Sequence, residues 1–236
     1  MAVTEQKTSR SEATRDAMMR AAETLIASNG LERVTIRGIV EAAGQKNESA
    51  LQYHFKNLKG LVQAIHNARS AQIDALRTAQ IAALDPQAGT PTLLEICALM
   101  VGPAFQLAQT EPGFRQYLMA FGHELLVTRE GIVSDSRREQ MRSISLLDEM
   151  LRHHLKGLTT VTYRQRVESA ARLVAASLYH QARQADAFTG LQADYFYSHL
   201  LDAMAGLLGA PESAATRALA ERLRTTSKPG SEAVGD

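Results

Sequence analysis

The stretch AAGQKNESALQYHF, residues 42–55, decides how the chain reads. A segment of helical periodicity runs into Gly44, turns within a few residues, and resumes with Asn, Ser, Gln, Tyr and His at its outward positions. Such a polar second half contributes little to a core. It is suited to carrying a helix end into something outside the protein.

The flanking residues supply the local determinants of that arrangement. Thr35 is a good N-cap, with Val34 and Ile39 at the two positions of a hydrophobic staple, and the helix it opens runs through Val40, Ala42 and Ala43 to Gly44. Asn47 or Ser49 can cap a short third helix reaching about His54, with Leu51 and Phe55, four apart, as its apolar edge. Upstream, a helix over about residues 10–28 places Met18, Ala21, Ala22, Leu25 and Ile26 on one face. Ser9 and Glu12 have capping-box spacing, and Leu31 is placed to fold back on Ile26 past Gly30. Downstream, Asn57 can cap a fourth helix with Leu58, Leu61, Val62, Ile65, Ala68, Ile73 and Leu76 on its buried stripe.

Helices joined by GQK in this way have the layout of a helix-turn-helix. A duplex major groove admits one helix, whose amino end carries free N–H groups and a positive dipole. Asn and Gln pair with adenine, Lys with guanine or phosphate, and Tyr and His hydrogen-bond phosphate. The candidate DNA-binding residues are Thr35, Arg37, Lys46, Asn47, Ser49, Gln52, Tyr53, His54, Lys56 and Lys59. The same pattern also suits a solvated polar helix in an all-α protein that never meets DNA.

With 236 residues, 45% of them hydrophobic, the chain can build one large core or two smaller ones. The net charge of +1 announces no partner, yet residues 1–70 carry ten Lys/Arg against seven Asp/Glu, an anion-facing bias. Beyond residue 70 the periodicity stays helical, at about 92–109, 113–128, 136–156, 162–188, 193–208 and 212–225. Pro103 should kink the first of these, DPQAGTP (residues 85–91) is the best linker, and residues 226–236 read as a disordered tail. The fold class is all-α: a three-helix unit carrying the helix-turn-helix at 10–70, then a larger helical part at 71–225. Cys97 is the lone cysteine and reads as a small buried hydrophobe. Neither an apolar leader segment nor a run of ~18 uninterrupted apolar residues is present, so a soluble cytoplasmic protein with no membrane partner is expected.

The segment Thr14–Arg69 resembles the DNA-binding domain of TetR-family transcriptional regulators, through TRDAMMRAAETLIASNG, VTIRGIVEAAG, YHF and the Leu61 position. The resemblance implies a homodimeric, all-helical regulator, usually a repressor, of a DNA operator expected to be palindromic. It further implies a small-molecule effector pocket and a dimer interface on the last two long helices. Two features depart from the family pattern. One extra residue lies between Gly44 and Phe55, and Leu58 stands where a phosphate-contacting lysine is frequent, with Lys59 next to it. Glu48 in the first turn would repel phosphate unless it accepts from a cytosine amine.

Met100, Phe105, Phe114, Tyr117, Leu118 and Phe121 are the apolar pocket candidates, although the 114-117-118-121 spacing serves a core stripe equally. The small residues Ala170, Ala171, Ala175, Ala176, Ala203 and Gly206 favour close helix packing, either within one chain or between two. Adjacent His153 and His154 point about 100° apart on a helix, a poor metal pair. Nucleophile elbow, phosphate loop and dinucleotide fingerprint are all missing from the sequence, so neither catalysis, cofactor nor metal is expected. The alternative is a helical small-molecule binding protein or an enzyme working in the C-terminal cavity.

Overall fold

A computed structural model describes residues 2–85, 87, 89–127 and 141–226, which form helices and turns with no strand among them. The amino-terminal unit comprises α1 (Ala2–Asn29), a 3-10 turn (Leu31–Arg33), α2 (Ile36–Ala42) and α3 (Ser49–Phe55). It continues into α4 (Leu58–Ala82), α5 (Leu93–Thr110) and α6 (Phe114–Val127). Then follow α7 (Arg142–His154), α8 (Thr160–Ala182), α9 (Gly190–Gly209) and α10 (Ala214–Thr226).

Met18, Ala22, Ile26, Ile39, Val40, Leu51, Phe55, Leu61 and Ile65 are buried together where α1–α4 meet. Each of the larger side chains contributes roughly 1.5–3 kcal/mol on leaving water. Thr35 caps α2 as its side chain dictates, accepting from Gly38 N–H at 3.1 Å. Two local expectations are corrected, and a third residue is placed. α1 begins at Ala2, so Ser9 lies inside the helix and cannot cap it. Leu31 sits at the surface of the 3-10 turn, 38% exposed, instead of folding on Ile26. Ala42 faces solvent, and Ala43 alone of that pair packs on the core.

α4 leaves the small bundle and packs on α5 and α7, while α6 packs on both α1 and α8. α9 closes over α5 and α8, and α10 lies on α8. The helix expected over 162–188 ends at Ala182, because the chain turns so that Phe188 meets Phe105 with ring centroids 5.6 Å apart. Of the helix expected over 136–156, residues 136–140 lie outside the described residues, as do 227–236 of the tail.

α5 is the most apolar element and, by length and composition alone, could cross a membrane. It is instead a central core helix, with Ile96, Cys97 and Val101 fully buried. Burial pushes the Cys97 thiol up to about 11, which keeps it protonated and unreactive. Pro103 has no N–H for the Leu99 carbonyl one turn earlier, and Arg77 Nε of α4 donates to that carbonyl at 2.9 Å. The proline therefore leaves a gap in the helix ladder that a second helix fills.

The α6–α8 contact depends on Gly122, where an added Cβ would lie 2.6 Å from Tyr179 Cβ. Gly122→Ala should lower stability by about 1–3 kcal/mol, the usual cost of overpacking, as a lower midpoint in thermal or urea denaturation. An unchanged midpoint would mean that the two helices can separate freely.

Candidate functional site

The helix-turn-helix head is shaped by two tight corners. At the end of α2, Gly44 has φ 68°, its N–H bonds Glu41 C=O at 3.0 Å, and Gln45 N–H bonds Val40 C=O at 2.9 Å. That pair of bonds is a Schellman ending, and the left-handed residue in it is glycine because a Cβ is strained there. Asn47 Oδ1 then accepts from Ser49 N–H at 2.9 Å, and Glu48 already has helical angles, so Asn47 is the effective cap of α3. Leu51 and Phe55 keep their core positions, so the extra residue lies in the turn before them.

The second corner follows Phe55. Lys56 has φ 68° and ψ −47°, and Asn57 N–H bonds Phe55 C=O at 2.8 Å, a positive-φ γ-turn that a side-chain-bearing residue rarely adopts. Asn57 Oδ1 then accepts from Gly60 N–H at 2.9 Å and opens α4. α3 is thus held between two fixed corners with its polar face outward.

Nine of the ten candidate DNA-contact residues are exposed: Thr35, Arg37, Lys46, Asn47, Ser49, Gln52, Tyr53, Lys56 and Lys59. Tyr53 is 81% exposed, unusual for a large aromatic ring without a partner role. His54 is half-buried, and burial together with the nearby Arg15 charge holds it below its ordinary value, so it is neutral at pH 7. It can donate a hydrogen bond to phosphate but brings no charge. Arg37 Nε is paired with Glu41 at 2.9 Å, which holds its guanidinium above its ordinary value. The Thr35 hydroxyl and the Asn47 carbonyl oxygen are engaged as caps, which leaves the Asn47 amide N–H groups to donate outward.

Behind the head lies an ion pair that sequence reasoning missed. Glu23 of α1 is 1% exposed, and both its oxygens accept from Arg69 of α4, each at 2.7 Å. Arg69 also donates to Gln72 at 3.0 Å, and its guanidinium lies 5.6 Å from the centre of the Phe114 ring at the start of α6. One bidentate bridge therefore ties α1, α4 and α6. The available signal was positional: Glu23 interrupts the apolar run Met19, Ala22, Ile26, and Arg69 continues Leu61, Ile65.

A cavity of about 210 Å³ lies between α4, α5, α6, α7 and α8. Of the pocket candidates, Met100, Tyr117 and Leu118 line it. Phe105, Phe114 and Phe121 do not; they are core residues, with Phe105 against Phe188, Phe196 and Tyr197, and Phe121 against His66 and Tyr117. The missed lining comes largely from α7 and α8, including Ile144, Leu147, Leu151, Ala171, Val174 and Leu178. Its polar groups are His66, Ser70, Arg77, Tyr117 and Asp148. Among the described residues no group of three His, Cys, Asp or Glu gathers as a metal site.

Arg69→Met, which strands the Glu23 carboxylate in the core, should cost about 3–5 kcal/mol in equilibrium denaturation. The double change Glu23→Met with Arg69→Met should recover part of that loss. Additive losses would mean the two charges are not a coupled pair.

Residues 18–65 match the family described as bacterial regulatory proteins, tetR family. No curated protein matches the chain. The matched residues span the second half of α1 through the first turns of α4, the elements that hold α3 outward. The match, on helices with this geometry, identifies residues 18–65 as a tetR-family DNA-binding unit and supports a DNA-binding transcriptional regulator of that family.

Proposed function

We propose that the chain is a homodimeric repressor, bound to a palindromic DNA operator and released from it by a small amphipathic effector. The observation that carries this reading is the outward face of α3, where Gln52 and Tyr53 are exposed while Leu51 and Phe55 anchor the helix. In it, residues 10–70 form the DNA-binding domain, residues 71–225 the effector and dimerisation domain, and the protein works in the cytoplasm. Gln52, the Asn47 amide and Ser49 read base edges; Lys46, Lys56, Lys59 and Tyr53 meet phosphates, with Thr35, Arg37 and His54 at the rim.

The outer face of α9 supports the dimer. Leu191 and Tyr195 are 82% and 66% exposed, and Ala203 and Gly206 continue the same side as small exposed residues. A flat stripe of this kind lets a second copy approach closely, and a two-fold pair sets two α3 helices about 34 Å apart. The effector acts through α4, which reaches from the corner at Lys56 to the cavity wall at Arg77. A displaced α4 alters the spacing of the two heads, and operator affinity falls.

Selection of bound sequences from a random duplex pool tests this directly; an inverted repeat with half-sites one turn apart is expected, and no enrichment would end the reading. Lys59→Ala should weaken binding to all duplexes and make the salt dependence shallower by about one unit in log–log slope. Gln52→Ala should instead alter base preference at one position of each half-site, read by the same selection. Ala203→Glu should turn a dimer into a monomer in analytical ultracentrifugation and weaken operator binding with it. A wild-type chain sedimenting as a monomer at micromolar concentration would refute the dimer.

A further inference from the structure

The cavity contains an unusual group. Arg77 is buried on α4 and lines the cavity wall. Nε donates to Leu99 C=O at 2.9 Å, Nη1 to Ser143 Oγ at 3.2 Å, and Nη2 reaches Met100 C=O at 3.5 Å. Three of the five guanidinium N–H groups are so used, all by neutral acceptors. Among the described residues no carboxylate stands within ion-pair distance of it. Asp74 acts on it only through space, its Oδ1 being taken by the N–H and hydroxyl of Ser143 at 3.1 and 2.5 Å. Burial draws Arg77 down to about 10, so it stays protonated at neutral pH. A buried cation with incomplete compensation is costly, and an anion placed beside it recovers much of that cost.

The acid in the same wall is differently situated. Asp148 Oδ1 accepts from Tyr163 at 2.6 Å, and Oδ2 pairs with Arg152 at 2.8 Å. Its charge is already balanced, so the site offers a cationic ligand less than it offers an anionic one. The rest of the lining is predominantly aliphatic, from Met100 and Leu118 to Leu147, Leu151, Val174 and Leu178.

We propose that the cavity takes an amphipathic monoanion, a small carboxylic acid with an apolar tail, whose carboxylate binds the Arg77 guanidinium. This rests on the reading of the cavity as the effector site, and it names the class of effector. The carboxylate takes the donors that Arg77 does not spend on α5 and α7, and the tail lies along the α7–α8 side.

Calorimetric titration of the full chain without DNA tests the headgroup. Hexanoate, octanoate and decanoate are each compared with the alcohol and the amine of equal length. The acids should bind about tenfold or more tightly than their partners, as a charge-assisted pair in a buried site requires. Leu147→Trp, which fills the cavity, should abolish acid binding. Arg77→Met should bring acid and alcohol to equal affinity; should that variant fail to fold, Arg77→Lys should keep the charge and lose part of the preference with the guanidinium fork. The wild-type series decides the headgroup, and Leu147→Trp decides the place. Alcohols or amines binding as tightly as the acids, no acid binding, or acid binding untouched by Leu147→Trp would each overturn the proposal. Operator release is measured separately in a duplex titration with the tightest acid. An acid that binds in the cavity yet leaves the operator complex intact upholds the ligand class and defeats the switch.

Discussion

Everything the amino-terminal helices do rests on a charge pair inside the protein. Glu23 and Arg69 are both almost wholly removed from water and bonded through two parallel 2.7 Å contacts. Such a pair offers little net stability over two well-packed apolar side chains, because each ion loses its hydration. What it supplies is geometry, since a bidentate fork has one favourable orientation whereas an apolar contact tolerates many. α1 and α4 are consequently fixed in rotation as well as distance, and α3 is fixed with them through Leu51 and Phe55. On the proposed reading, in which α3 meets base edges, that kind of constraint matters more than extra stability.

The same bridge faces the second domain. Phe114, fully buried at the start of α6, lies beneath the Arg69 guanidinium, and α6 packs along both α1 and α8. Apolar burial supplies the bulk of the cohesion between the two halves, and the buried Glu23–Arg69 pair supplies its register. α4 runs past residue 70 without a break, packing on α1 and α3 at one end and on α5 and α7 at the other.

Much of the head was legible because its determinants are local. Thr35 before a short amphipathic run, Gly44 after it, and Asn57 before the next each act on backbone groups within four residues, and each forms the bond its type predicts. The start of α1 was not legible, since a polar helix carries no apolar stripe to mark it. The cavity was only half legible. Phe114, Tyr117, Leu118 and Phe121 share one helical face, yet two line the cavity and two fill the core, a division made by how α7 and α8 pack against α6. Ala171 and Ala175 were read only as packing residues, whereas their small size also leaves the void. Pairings such as Glu23 with Arg69, or Arg77 with the carbonyl freed by Pro103, join residues far apart in sequence, where periodicity is silent.

The two arginines of α4 have opposite kinds of surroundings, and the contrast bears on how a ligand would be felt at the head. Arg69 has a full carboxylate partner and is held; Arg77 has neutral partners and is strained for charge. They stand eight residues apart, about 12 Å along the axis. No proline or glycine lies between Leu61 and Ala82, so this part of α4 has no built-in bend and shifts as a rod. A ligand that draws on Arg77 would also draw on the carbonyls of Leu99 and Met100, where Pro103 removes one bond from the α5 ladder. Helix α5 can yield there at low cost, whereas the Glu23–Arg69 fork cannot yield without exposing two charges to an apolar interior. In the proposed switch, displacement begun at the cavity would pass along α4 to α1 and α3 together, instead of being lost at the joint between them.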